Sequence, residues 1–154
     1  FKGIGEAKAI TIIAALELGQ RRKETPIPKK SQISCSGDAH QLLASQFADL
    51  NHEEFWMLML NRANKVTAKH LVSKGGQAGT IADPKVIFQT ALEHHSASLI
   101  LAHNHPSGNL KPSQSDITLT QKLVAAGKLL DIAILDHLII GDSGFYSFAD
   151  EGML

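Results

Sequence analysis

The sequence predicts a mixed α/β (α+β) domain, a β-sheet flanked by packed helices. Two short runs, Phe55 to Leu60 and Leu99 to Ala102, are apolar at every position, the pattern of strands buried on both faces. Segments of helix length with apolar residues three and four apart alternate with them, and two strand–turn–strand pairs complete the order α, β, β, α, β, α, β, β. At 154 residues, with 44% hydrophobic and 19% charged residues, the chain is long enough for one ordinary core.

The elements follow in order. Gly3-Ile4-Gly5 reads as a tight turn, and Glu6-Ala7-Lys8-Ala9 opens a first helix that runs to about residue 22. Ile10, Ile13, Ala14 and Leu16 to Leu18 are expected to form its apolar stripe, and Arg21-Arg22-Lys23 suits its C-terminus. A Gly-x-Gly turn at a helix start can present N–H groups to a phosphate, but a plain capped helix explains the same residues. Lys23 to Ser36, with Pro26 and Pro28, reads as a linker. Ser36-Gly37-Asp38 is expected to cap a helix over Ala39 to Leu50 that turns Leu42, Leu43, Phe47 and Leu50 to a core.

Asn61 to Asn64 is the turn from the first strand into a return strand, Lys65 to Ser73, and Gly75, Gly76 and Gly79 mark a loop after it. Asp83-Pro84, an N-cap followed by a proline at the first helical position, opens a helix over Lys85 to His95. The strand from Ser98 to Ala102 comes next, then a helix from Ser113 to about Leu130. Ile132 to Ile140 and Phe145 to Phe148 form the last strand pair around the turn Gly141 to Gly144.

Composition narrows the function. Fifteen basic and fifteen acidic residues cancel, so no charge excess advertises nucleic acid. The single cysteine, Cys35, excludes a disulfide framework within the chain and fits a reducing, cytoplasmic setting. No apolar run approaches about 18 residues, the length that would suggest a membrane span. The chain starts at Phe1, without Met or a signal-peptide pattern, and reads as a piece of a longer protein.

The chemistry gathers between His103 and Asp116. Residues two apart on an extended chain point the same way, so the imidazoles of His103 and His105 can reach one point. A short loop with Pro106, Gly108 and Pro112 then brings back Ser113 and Asp116. Two imidazoles and one carboxylate make three protein ligands, the number a catalytic zinc site uses while keeping a position for water. Ser113-x-x-Asp116 also reads as a helix capping box; the cap and the metal role are compatible for Ser113, while Asp116 reads as a ligand rather than a capping acid. The contiguous letters His-Asn-His do not make a nuclease of that name, whose residues are dispersed over a ββα unit.

The remaining histidines read as structural. His94-His95 lies at a helix C-terminus, His40 and His70 on surfaces, and His52 on a loop. His137 interrupts an apolar strand, so it needs a buried partner; it is either a satisfied core histidine or a support for a ligand.

His103-Asn104-His105-Pro106-Ser107-Gly108, with Pro112-Ser113 and Asp116, resembles the JAMM (JAB1/MPN/Mov34) metalloprotease motif in its RadC form. The likeness continues through Leu135-Asp136-His137 and Ser147-Phe148 and covers roughly residues 36 to 154. Gly3 to Arg22 is similar to the second half of the helix-hairpin-helix that precedes this domain in the same family. The resemblance therefore implies residues 1–28 as a remnant of that motif plus linker. It implies residues 29–154 as a JAMM/MPN domain with a curved mixed sheet of JAB1/MPN (cytidine-deaminase-like) architecture.

It also implies roles. His103, His105 and Asp116 match the zinc ligands, and Ser113 matches the serine that stabilises the oxyanion. Glu53 matches the upstream glutamate that moves the proton, with Glu54 as the alternative base. The expected activity is hydrolysis of an amide or isopeptide bond in a protein or peptide substrate. The alternative is a non-enzymatic zinc-containing module in DNA repair or recombination, the label this family carries. DNA binding by the chain itself is not expected, because the helix-hairpin-helix is cut and the net charge is zero.

Overall fold

In a computed structural model, which describes residues 5–24, 31–48, 50–75 and 82–154, nine elements follow one another. They are α1 (Glu6–Glu24), α2 (Ser36–Phe47), β1 (Glu54–Leu60), β2 (Val66–Lys74), α3 (Pro84–Glu93), β3 (Ser98–Asn104), α4 (Gln114–Leu129), β4 (Ala133–Gly141) and β5 (Gly144–Ser147). The strands form one mixed sheet in the order β2-β1-β3-β4-β5. Neighbours are antiparallel except β3 and β4, which are parallel and joined by the crossover through α4.

The apolar runs become the central strands, and β3 is buried at all seven positions. Their alternating side chains build two cores. Phe55, Met57, Met59, Leu99 and Leu101 pack toward α3 and α4, against Ile87, Phe88, Ala91 and Leu123. Leu58, Leu60, Ile100, Ala102, Leu138 and Ile140 pack on the other face against Ala39, Leu43 and Phe47 of α2.

The β3–β4 ladder carries an irregularity that positions the site. Leu99 pairs with Ile134, but the next residue, Ile100, pairs with Asp136, so Leu135 is a bulged extra residue. Beyond the bulge His137 pairs with Leu101 and Ile139 with His103, on the α4 side of the sheet.

Several boundaries differ from the sequence expectation. β3 runs two residues past Ala102, because His103 and Asn104 find polar partners inside the fold. α2 starts at Ser36, where the Asp38 carboxylate accepts the N–H groups of Ser34 and Cys35 at 2.7 and 3.3 Å, and it ends at Phe47. α3 ends at Glu93, and His94 and His95 lie beyond it, His95 at φ +50°. The stripe expected on α1 is not buried: Ile10, Ile12, Ile13, Leu16 and Leu18 are exposed, spread around the helix instead of along one side. The Gly3-Ile4 turn, the division between residues 28 and 29, and Gly76 and Gly79 lie outside the described residues. No helix among the described residues is long and apolar enough to cross a membrane.

Candidate metal centre

His103 occupies the next-to-last position of β3, His105 stands just past the strand end, and Asp116 lies in the first turn of α4. Each residue offers a ligand atom, and these atoms lie within 4.8 Å of one another. The two Nε2 atoms are 3.0 Å apart. Asp116 Oδ1 is 3.4 Å from His103 Nε2, and Oδ2 is 3.6 Å from His105 Nε2. Three donors around one zinc at about 2.0–2.1 Å in a tetrahedral arrangement would stand about 3.3 Å from each other, so this set fits the ion in spacing and in chemistry.

The tautomers follow from the hydrogen bonds behind the ligands. Thr120 donates its hydroxyl hydrogen to the backbone carbonyl of Asp116 at 2.7 Å, as threonines do toward the fourth preceding residue. Its oxygen must then accept from His137 Nδ1–H, 2.6 Å away. His137 Nε2 is left as an acceptor for His103 Nδ1–H at 2.9 Å. That leaves the lone pair of His103 Nε2 facing His105 and Asp116. His105 donates its Nδ1–H to the carbonyl of Asn109, so it too turns Nε2 to the cluster. Two such nitrogens 3.0 Å apart beside a carboxylate call for a cation between them.

Asp116 does more than the sequence reading assigned to it. That reading treated ligand and capping acid as alternatives, and the two carboxylate oxygens allow both. Oδ2 accepts the backbone N–H and the hydroxyl of Ser113, each at 2.7 Å, while Ser113 Oγ accepts the Asp116 N–H at 3.2 Å, a complete capping box. Oδ1 remains for His103.

Burial and the neighbouring groups together set the charge states. Burial pushes His103 down to about 4, partly offset by the Asp116 charge, and it holds His137 well below the usual histidine range. His105 moves up because the Asp116 carboxylate beside it outweighs desolvation, with help from Asn109 and the charge of Glu53. Burial alone would raise Asp116, yet its contacts with His105, Ser113 and His103 hold it well below the carboxylate range. His103 and Asp116 are therefore in the state a cation needs, whereas His105, whose upward shift favours the protonated ring, must give up a proton to bind one.

Glu53 borders the open side, where it lines a cleft with His105, Pro106, Ser107 and Ser113. Glu54 is committed elsewhere. Its carboxylate is buried and meets Trp56 Nε1 at 2.8 Å, His52 Nε2 at 3.1 Å and Lys74 Nζ at 3.1 Å. The structure thus brings Glu53, His103, His105, Ser113 and Asp116 to one place and sends Glu54 to another. His40 stacks on Phe145 and His94 binds the Thr90 carbonyl, away from the cluster. Sequence reasoning missed Thr120, although it stands four residues after Asp116 on the same helical face.

The profile of a family described as "RadC-like JAB domain" matches residues 33–153. A UPF0758 protein of Flavobacterium johnsoniae is 53% identical over 153 residues, which cover 99% of this chain and 67% of that relative. A UPF0758 protein of Porphyromonas gingivalis is 44% identical, over 100% of this chain and 68% of the relative. One of Methanosarcina mazei is 42% identical, over 99% and 66%. The chain thus spans about two thirds of the length of these relatives.

Proposed function

The chain belongs to the RadC-like JAB domain family, and on that footing we propose that it is a zinc-dependent hydrolase of an amide or isopeptide bond in a protein or peptide. The observation that carries this reading is the three-residue ligand set His103, His105 and Asp116, which opens toward Glu53 and Ser113. A structural zinc is closed by four protein ligands, whereas the three gathered among the described residues leave room for water and substrate. For this reason hydrolysis is the better reading than a metal-stabilised accessory module.

Bound zinc would supply a Lewis acid and a water acidified to near neutrality. The remaining work falls to the protein. Glu53 takes a proton from the attacking water and returns it to the leaving amine. The Ser113 hydroxyl, now on Asp116 Oδ2, lies beside the cleft and can turn to the oxygen that gains charge. His137 and Thr120 keep His103 in one tautomer and orientation.

The test is hydrolysis of a peptide and isopeptide library by the zinc-loaded chain, compared with Glu53→Gln and His103→Ala. The reading expects turnover by wild type alone. Equal turnover by Glu53→Gln, with zinc retained, would remove Glu53 from the mechanism.

A further inference from the structure

Asn104 stands between the two histidine ligands and faces the opposite way, as alternation along an extended chain requires. It is buried, and both ends of its carboxamide are used. Oδ1 accepts the backbone N–H of Glu54 at 2.8 Å, and Nδ2 donates to the backbone carbonyl of His52 at 2.9 Å. The two groups lie on either side of Glu53. The regular β1–β3 pairing reaches Phe55 opposite His103, and the Asn104 side chain extends that ladder past its end.

Other bonds converge on the same segment. The carbonyl of Glu53 accepts the N–H of Gly75 at 2.8 Å. The Glu54 carboxylate, through His52, Trp56 and Lys74, holds the residues flanking Glu53 to the sheet. From this geometry we infer that Asn104 is a positioning residue: it ties the backbone around Glu53 to the strand end that carries the metal ligands. The inference rests on the hydrolase reading, in which Glu53 is the base.

The residue type suits the task. A carboxamide carries a donor and an acceptor on one short planar group, which an aspartate or an alanine does not. Precision matters here, because a misplacement of about 1 Å in a reacting group can cost roughly 10²-fold in rate.

The test uses Co2+ as the probe, since its visible bands report both the ligands and the groups next to them. Spectra of Co2+-loaded wild type, Glu53→Gln, Asn104→Ala and Asn104→Ser are followed across neutral pH, and the exchange of the Glu54 amide is measured in each. In Asn104→Ala the Co2+ affinity is expected to fall by less than about 10-fold, the lower end for groups that orient a metal ligand. The midpoint of its spectral titration should move in the same direction as in Glu53→Gln, and the Glu54 amide should lose protection. Asn104→Ser, a smaller change, should show the same shift and covers the case in which the alanine variant does not fold. An Asn104→Ala titration that overlays wild type, while Glu53→Gln is displaced, overturns the positioning role alone. A Glu53→Gln titration that itself overlays wild type overturns the base assignment, and the positioning role with it.

Discussion

His137 Nε2 lies 2.9 Å from His103 Nδ1, and this bond decides which nitrogen of His103 faces the cluster. His137 is fully buried between Phe55 and Phe148, whose ring centroids are 5.4 and 5.0 Å away. A phenylalanine would therefore fill the space but accept no hydrogen bond. His137→Phe leaves the buried His103 N–H without a partner, a cost of about 1–3 kcal/mol. Zinc affinity, measured by competition with a chromophoric chelator, should fall by about 10–100-fold. An affinity equal to wild type would show that His137 is only packing.

The same burial gives the metal-free protein a pH dependence with a definite sign. His103 titrates near about 4 in the fold and His137 well below its ordinary range, against 6.5 for each in the unfolded chain. Between these limits the unfolded chain binds more protons, so stability rises with pH from about 4 to 6.5. His103 alone contributes on the order of 3 kcal/mol across that window. His105, raised by Asp116, acts above 6.5 and in the opposite sense: its contribution is lost as pH climbs through its folded value. Urea unfolding of the chelator-treated protein should show the acid loss, and His103→Gln should reduce its slope while leaving the part that His137 contributes.

Ser113 combines a helix cap with a place at the cleft, and the two roles separate by measurement. Ser113→Ala loses the N-cap acceptor, which typically costs about 1 kcal/mol in unfolding free energy. Its zinc affinity should change little, because the three ligands remain. If the hydroxyl serves the oxyanion, turnover should drop by about 10²–10³-fold, well beyond the stability effect.

The clustering of His103, His105 and Asp116 was legible in the sequence because their geometry is local. His103 lies near the end of a strand, His105 follows two residues on, and the acid sits in the first turn of the next helix, so the alternation of an extended chain and one short loop bring them together. The support behind them was not. Without the bulge at Leu135, strict alternation from Ile134 would put Asp136 on the α4 side and turn His137 away from His103. A single extra residue in β4 reverses that, and no pattern in the apolar run announces it. The choice between Glu53 and Glu54 was likewise open. What claims Glu54 is Lys74 from β2 together with Trp56 and His52, and the pairing of β2 with β1 settles which carboxylate they reach.

The packing of α4 on the sheet gives a test independent of the metal. A Cβ on Gly127 would lie 2.4 Å from the carbonyl oxygen of Ile132. That carbonyl belongs to backbone leading into β4 and has no flexible end to yield. Alanine for glycine inside a helix ordinarily stabilises by about 1 kcal/mol. Here Gly127→Ala should instead destabilise, by about 1–3 kcal/mol as overpacked sites do. Chemical denaturation of the two proteins reads the sign directly.

The central claim is that His103, His105 and Asp116 together hold one catalytic zinc. Zinc content and affinity of wild type and His103→Ala test it most directly, by elemental analysis after dialysis and by chelator competition. The account predicts one zinc per wild-type chain and loss of that zinc in His103→Ala while the fold persists. A wild-type chain that takes up no zinc, or a His103→Ala chain that binds it as tightly, would contradict it.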